Sequence, residues 1–198
     1  MKKVLLPLLL LLIGYIGHAQ SSFGFKGGVN LGKFTGPGVI AGASTLTAGN
    51  IGVYDNIAFA STTSLQIELS VSWEGEKYNN PINYGSFKFA YLNLPVLIHQ
   101  KIAAGLFAET GPQVGLLLGA TNTNDGTTSD YSSQVTSISF DWDFGIGYKF
   151  SRMLALDARY NLGISNLGSS IATDRDYRNG FFSFNIFFSP FGRHHNSH

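Results

Sequence analysis

The chain contains no cysteine and few charged residues. The absence of Cys from its 198 residues excludes a disulfide framework, a thiolate metal site and a lipid-anchored cysteine. Charged residues make up only 13% of the chain, compared with about 25% in an ordinary soluble domain. The 13 basic and 12 acidic residues nearly balance. The sequence therefore offers no basic stripe for nucleic acid, and we expect no nucleic-acid partner.

Long apolar runs are also scarce, and the clearest one is at the N-terminus. Residues 4–13 are almost entirely apolar and follow the basic pair Lys2 and Lys3. This arrangement predicts a signal peptide over residues 1–19, with cleavage before Gln20. The alternative is an anchor helix, but the run is shorter than the ~20 residues that a spanning helix needs.

Glycine and aromatic residues are abundant, and many of them follow a strict alternation. There are 24 glycines, and aromatic residues make up 14% of the chain. In the stretch 136–150 one set of alternate residues is large and apolar: Ile138, Phe140, Trp142, Phe144, Ile146, Tyr148 and Phe150. The residues between them are small or charged: Ser139, Asp141, Asp143, Gly145, Gly147 and Lys149. Because successive side chains of a strand point to opposite faces, this stretch predicts a transmembrane β-strand between lipid and a polar lumen.

The same alternation recurs along the rest of the chain. It is visible in residues 22–32, 47–54, 65–73, 87–98, 105–118, 154–164 and 181–188. Together with the first stretch these make about eight strands, with long connections after the odd-numbered strands and short turns after the even-numbered ones. The sequence therefore predicts an all-β fold, an antiparallel up-and-down transmembrane β-barrel over residues 20–188 with four long external loops. Residues 189–198 form a C-terminal tail.

The fourth of these strands changes phase. Its first apolar residues, from Phe87 to Tyr91, have odd numbers, whereas the later ones, from Leu92 to Ile98, have even numbers. A β-bulge shifts side-chain parity by one residue, and proline within a strand is common at bulges. We therefore predict a bulge between Tyr91 and Pro95 that brings both sets to one face.

The turn at 151–153 determines how the polar face of the stretch 136–150 pairs with the next strand. A turn of this length places Gly145 opposite Arg159, so that Arg159 is diagonal to Asp143 and Asp157 is diagonal to Lys149. The interior of a barrel of this size is just wide enough to be filled by side chains, and charges trapped there must pair. We therefore predict a plugged, polar lumen with a structural network. The predicted members of this lumen network are Asp143, Arg159, Lys149, Asp157, Glu68, Glu109 and Asp141.

Few residues resemble a metal or catalytic site. Asp141 and Asp143 share one face of a strand and could bind a metal, but we interpret them as structural lumen charges. Residues 121–126 lack the spaced acidic ligands and the closing Glu of a calcium loop. His99 has no recognisable Ser or Asp partner, and the other candidate histidines lie in the tail. We therefore expect no metal, no cofactor and no catalytic residue.

Four segments, in this order and at these spacings, resemble the PorT-like outer-membrane β-barrel proteins of Bacteroidetes. They are Phe-Gly-Phe-Lys-Gly-Gly-Val-Asn at 23–30, Tyr-Leu-Asn-Leu-Pro at 91–95, Asp-Phe-Gly-Ile-Gly at 143–147 and Ala-Arg-Tyr-Asn-Leu-Gly-Ile at 158–164. The resemblance implies an eight-stranded outer-membrane barrel and says little about activity. The chain departs from the usual pattern of such barrels in one respect, because residues 189–198 follow the aromatic residue Phe188 that would end the last strand.

These observations favour an integral outer-membrane protein of a Gram-negative cell that has no catalytic activity. Its expected role is structural, or binding and docking through the external loops. Its expected partners are outer-membrane lipid and a protein or surface ligand at those loops, and we expect a monomer. Two alternatives stay open: a membrane-embedded lipid-modifying enzyme, and a soluble periplasmic lipocalin-like barrel whose apolar face would point inward.

Overall fold

The computed structural model describes residues 20–35, 43–79, 84–166 and 178–190, and most of them are in β-strands. The predicted signal peptide lies outside the described residues, as does most of the predicted tail. The described residues include no helix that is long and apolar enough to cross a membrane. Their helical structure is a single 3-10 turn at Ser132–Gln134.

The strands are all antiparallel and close into a barrel. They are β1 (Gln20–Thr35), β2 (Ala43–Ala58), β3 (Thr63–Asn79), β4 (Tyr84–Lys101), β5 (Leu106–Asn124), β6 (Thr127–Asp130), β7 (Ile138–Lys149), β8 (Leu154–Gly163) and β9 (Arg178–Phe188). Each strand of the wall pairs with its neighbours, β9 pairs with β1, and β4 pairs with β5. The short strand β6 pairs only with β5. Eight of the nine strands therefore form the wall, which confirms the predicted fold class.

The two faces of the wall have opposite character, as the alternation predicts. Large apolar side chains point away from the barrel axis and are exposed, for example Ile51 at 62%, Phe25 at 52% and Phe144 at 49%. Polar and charged side chains such as Asn30 and Glu68 point inward and are buried. An apolar outer band and a polar interior fit lipid outside the wall. This arrangement is the reverse of the lipocalin-like alternative, which is therefore wrong.

The barrel has two different ends. One end, here called the short-turn end, has the connections 59–62, 102–105 and 150–153. The opposite end, here called the long-loop end, has the connections 36–42, 80–83, 125–137 and 164–177. Both β1 and β9 have their free ends at the short-turn end.

The connection between β3 and β4 is shorter than the polar sequence 75–84 suggests. The two strands stay paired up to Asn79 and Tyr84. Strand pairing uses backbone groups, so a ladder continues into polar sequence as long as both partners stay extended. The hairpin therefore lengthens the wall at the long-loop end.

The predicted bulge in β4 is wrong in its position and in its effect. The register shift falls between Ala90 and Tyr91, which pair with Gly119 and Leu117. The extra residue is therefore Leu118 of β5, and the parity of β4 does not change. As a result, the aromatic residues from Phe87 to Tyr91 point inward with the odd-numbered residues that follow, although a polar lumen predicts the opposite.

Candidate functional site: the filled lumen

The part of the interior nearer the short-turn end is called the lower lumen here, and its centre is Arg159. Its Nη1 and Nη2 atoms donate to the two carboxylate oxygens of Glu68, at 3.2 and 2.9 Å. Nε donates to Glu109 at 2.7 Å, and Nη2 also donates to Asp157 at 2.9 Å. Asp143 Oδ2 lies 3.7 Å from Nη1. One guanidinium group, which is only 2% exposed, therefore contacts four carboxylates. This planar fork geometry is one that lysine does not provide.

The register of β7 and β8 explains this convergence. Gly145 lies opposite Arg159 and Phe144 lies opposite Tyr160, as the turn length predicts. Gly145 also faces Glu109 across the β5–β7 pair, and a Cβ at this glycine would collide with Glu109 Oε1. The glycine therefore provides the space that Glu109 uses to reach Arg159.

Two further residues of the lower lumen are absent from the predicted network. Lys26 Nζ donates to Glu68 at 2.6 Å and lies 5.7 Å from the ring centroid of Phe187. His99 Nε2 lies 2.8 Å from Glu109 Oε2, at ion-pair distance but without the alignment of a hydrogen bond. The alternation already places Lys26 on the lumen face. The fourth predicted strand ends at residue 98, whereas in the structure β4 continues to Lys101 and His99 faces inward.

Lys149 does not join the network. Its side chain is exposed at the end of β7 and lines the cavity at the short-turn end, and no ion pair with Asp157 forms. Asp157 instead accepts hydrogen bonds from Arg159 and from Asn185, the latter at 2.6 Å. Lys149 is the last residue of β7 and is still paired with Ala155 of β8, but its side chain turns to solvent.

Asparagine side chains fill the middle of the barrel. Asn50 Nδ2 donates to Asn30 Oδ1 at 2.8 Å and to Asn185 Oδ1 at 3.0 Å. Asn30 Nδ2 in turn donates to Ser72 Oγ at 2.9 Å. These amides connect β1, β2, β3 and β9 without adding charge.

A group of polar residues that includes two carboxylates lies on the long-loop side of this middle layer and is called the acid pocket here. Its members are Glu74, Asn93, Gln113, Ser139, Asp141 and Asn179, all of which are buried. Glu74 accepts hydrogen bonds from Ser72, Asn93 and Asn179. Asp141 accepts hydrogen bonds from Gln113 at 3.3 Å and Ser139 at 3.1 Å. The predicted network therefore divides, since Asp141 bonds to neutral donors and not to Arg159.

Apolar side chains close the long-loop end of the lumen and are called the aromatic plug here. The plug consists of Phe89, Tyr91, Ala120 and Val135, with Phe87, Leu117 and Tyr131 packed against them. Phe87 and Tyr131 are in ring contact, with centroids 5.4 Å apart. Tyr131 and Val135 belong to the connection between β5 and β7, so this segment folds back over the lumen.

The β5–β6 hairpin extends beyond the plug. Its turn is at Asp125 and Gly126, which both have positive φ angles, 47° and 83°. At the base of the hairpin, the Asp130 carboxylate accepts the backbone N–H of Ser132 at 2.8 Å. Hydrogen bonds from the hydroxyl and the backbone of Ser132 hold the pKa of Asp130 below its usual value. The hairpin is therefore an ordered projection at the long-loop end.

A cavity of about 560 Å³ opens at the short-turn end. Tyr54, His99, Phe107 and Phe187 are among the side chains that line it. The His99 ring stacks on Phe107, with centroids 4.9 Å apart, so aromatic rings form the floor of this cavity. The described residues contain no group of three or more His, Cys, Asp or Glu side chains placed to hold a metal ion. The histidines of the predicted tail lie outside the described residues.

These features define an integral outer-membrane β-barrel with a filled interior. The chain matches the family described as outer membrane protein beta-barrel domain over residues 18–168, and it belongs to that family. The protein is therefore located in the outer membrane.

Two solved outer-membrane barrels have a similar fold. Neisserial surface protein A is 16% identical, with a TM-score of 0.55 over 85% of this chain and 98% of that chain. The attachment invasion locus protein Ail of Yersinia pestis, in complex with the heparin analogue sucrose octasulfate, is 14% identical, with a TM-score of 0.50 over 85% of this chain and 97% of that chain. At these identities the likeness concerns the fold. No curated protein sequence matches the chain.

Proposed function

We propose that this protein is a PorT-like, non-catalytic barrel of a Gram-negative outer membrane that presents its long-loop end for binding at the cell surface. The filled lumen carries this proposal. Arg159 and its carboxylates fill the lower lumen, and the aromatic plug closes the long-loop end. Because the interior is filled in this way, the wall serves as the membrane anchor, and the long-loop end is the surface available to a partner.

The segments at 23–30, 91–95, 143–147 and 158–164 support the assignment to the PorT-like group. The connection 125–137 supports the binding role, because part of it seals the lumen while the β5–β6 hairpin projects from it. A binding partner at the hairpin would contact a rigid element, which reduces the entropy lost on binding.

Site-specific photo-crosslinking in intact cells tests the binding role. A photoreactive residue at Ser129 in the hairpin should give a discrete adduct with a protein or surface glycan. The same residue at Ser151, in a turn at the short-turn end, should not give that adduct. Absence of any adduct at Ser129 and at positions in the connections 36–42 and 164–177 would contradict the binding role.

A membrane-embedded lipid-modifying enzyme is the second candidate, and the pair of His99 and Glu109 favours it. An imidazole held by a carboxylate beside a cavity is the arrangement of a general base. Against this candidate, no described hydroxyl group bonds to His99, and the cavity is lined by residues of the three turns 59–62, 102–105 and 150–153. We therefore propose that His99 is structural.

Analysis of the lipid A and phospholipids of cells separates the two candidates. Cells with the wild-type protein, with His99→Ala and without the protein should show the same lipid composition. A modified lipid that is present with the wild-type protein and absent with His99→Ala would establish the enzyme and overturn the non-catalytic proposal.

A further inference from the structure

We propose that the acid pocket binds one calcium ion between Glu74 and Asp141. The two carboxylates belong to β3 and β7, and their hydrogen-bond donors Asn93 and Ser139 meet in the space beside Gly115. Both side chains are almost fully buried, with Glu74 at 3% and Asp141 at 6% exposure. A buried negative charge is costly unless a positive charge compensates for it.

No ion pair among the described residues supplies that positive charge. The described hydrogen bonds of Glu74 and Asp141 come from serine, asparagine and glutamine side chains, all of which are neutral. Neither carboxylate makes an ion pair with a described Lys, Arg or His. In the lower lumen, by contrast, four carboxylates share Arg159, and Lys26 adds a second cation.

Three further oxygen atoms in and beside the acid pocket lack a hydrogen-bond partner. They are Tyr91 Oη, Asn93 Oδ1 and Asn179 Oδ1, each buried in a residue that is less than a tenth exposed. Asn93 and Asn179 both donate their amide N–H groups to Glu74, so their free oxygens lie beside the same carboxylate. Buried polar atoms without partners are rare, and an unseen ion is one of their causes.

The space around Gly115 shows how these oxygens converge. A Cβ built at Gly115 would lie 2.7 Å from Asn93 Oδ1 and 3.3 Å from Tyr91 Cδ1, and it would collide with Ser139 Oγ. Ser139 Oγ donates to Asp141 Oδ2 at 3.1 Å. One small volume is therefore surrounded by the Asn93 amide oxygen, the Tyr91 ring and the Ser139 hydroxyl group that donates to Asp141. It stays open because residue 115 is a glycine.

The chemistry of this set favours calcium. Calcium takes about six to eight oxygen ligands from carboxylates, amide carbonyls and water, and it tolerates irregular geometry. Magnesium requires near-ideal octahedral geometry and retains several waters, which suits a set of side chains from four strands less well. A divalent ion also neutralises both carboxylates. The proposed ligand set contains two carboxylates and completes its coordination with amide and phenol oxygens. It is therefore a different kind of site from a group of three or more His, Cys, Asp or Glu side chains, which the described residues lack.

Two layers flank the acid pocket along the barrel axis, the aromatic plug above it and the asparagine layer below it. Glu74 also lines a cavity of about 540 Å³ beside Leu46 and Trp73, but its own exposure is only 3%. We therefore infer that a bound calcium ion exchanges slowly.

Metal analysis of the full-length refolded protein tests the proposal. The wild-type protein, refolded with calcium and then passed over a chelating resin, should retain about one calcium per chain. The double variant Glu74→Gln, Asp141→Asn should retain none. The matched control Asp157→Asn, which changes a lower-lumen carboxylate to its amide, should retain the same amount as the wild type. Heat-modifiable gel migration verifies that each variant has folded.

Unfolding measurements distinguish a bound ion from trapped water. The wild type refolded with calcium should unfold at a higher denaturant concentration than the wild type refolded with chelator. The double variant should show the same midpoint in both cases. Equal midpoints for the wild type, with no calcium retained, would mean that water or protons satisfy the pocket and would overturn the proposal. Loss of calcium from Asp157→Asn as well would overturn the location of the site.

Discussion

The lower lumen and the long-loop end of the same barrel are filled by different means. The lower lumen relies on charge, since Arg159 and Lys26 neutralise buried carboxylates through short contacts. The long-loop end relies on apolar packing in the aromatic plug. Both fillings lie within one wall of antiparallel strands. The comparison shows that the interior of a small barrel must be full, but that the kind of side chain that fills it can change along the axis.

The fillings of the two halves differ because different side chains reach the interior in each half. One arginine in the lower lumen reaches four carboxylates because Gly145 leaves room for Glu109 beside it. The long-loop end receives Tyr131 and Val135 from the connection between β5 and β7, so apolar surface is covered there. The charges in the lower lumen therefore depend mainly on Arg159, with Lys26 as a second cation at Glu68, whereas the plug distributes its packing over several side chains.

The largest expected effect comes from the centre of the lower lumen. Arg159→Ala should lower the free energy of unfolding by about 3–5 kcal/mol, because it leaves buried carboxylates without their cation. Denaturant unfolding of the refolded protein in detergent or lipid vesicles measures the change. Arg152→Ala, at an exposed position in the turn 150–153, serves as the control and should change stability little. Equal midpoints for the two variants would contradict the charged network.

A similar but smaller loss is expected when the plug is opened. Phe89→Ala removes a buried ring and should cost about 3 kcal/mol. Phe89 and Arg159 lie in different halves and share no hydrogen-bonding or ring partner among those described. The double variant should therefore lose the sum of the two single effects, within about 0.5 kcal/mol. A large deviation from additivity would mean that the two halves form one unit.

Substitution of Lys26 or Lys149 should change the free energy of unfolding by smaller amounts. Lys26→Met keeps the length of the side chain and removes its hydrogen bond to Glu68, so we expect a loss of about 1–3 kcal/mol. Lys149→Met should change stability by less than about 0.5 kcal/mol, because its side chain is exposed. The two unfolding midpoints measure this difference directly. A larger loss of stability in Lys149→Met would indicate that Lys149 pairs with Asp157, which the structure does not show.

No change of stability is expected from a pair of cysteine substitutions that report orientation. Ser129→Cys lies in the β5–β6 hairpin, and Ser151→Cys lies in a turn at the opposite end. Because the chain has no native Cys, a membrane-impermeant maleimide should label whole cells only through Ser129→Cys. Labelling of Ser151→Cys alone would show that the long-loop end faces the periplasm.

Alternation and turn length were sufficient to predict the wall and its central register. The residues from Ile138 to Lys149 alternate between lipid and lumen, and the turn at 151–153 places Gly145 opposite Arg159 as observed. Both features depend on local geometry, which the sequence contains. The lengths of strands beyond the apolar band were harder to predict, because polar residues such as Lys77 stay in the ladder.

The contents of the lumen were predicted less well because they depend on contacts across the barrel. A polar interior was assumed throughout, so the apolar residues Phe89 and Tyr91 were expected to face lipid, and a bulge was placed in β4 to allow this. His99 was missed for a different reason, because the fourth predicted strand ends one residue before it and β4 continues to Lys101. Lys149 has the parity of the lumen face, but parity does not show that the side chain of the last residue in the strand turns to solvent.

Conductance of the purified protein in planar lipid bilayers tests the filled lumen most directly. The refolded wild-type barrel should insert, as heat-modifiable migration can verify, and should show no stable ion conductance. The double variant Phe89→Ala, Arg159→Ala removes side chains from both the plug and the lower lumen. Its folded form serves as the comparison, because its lumen has more open space through which ions can pass. Stable, reproducible channel openings of the wild type would contradict a lumen closed by the lower-lumen network and the aromatic plug.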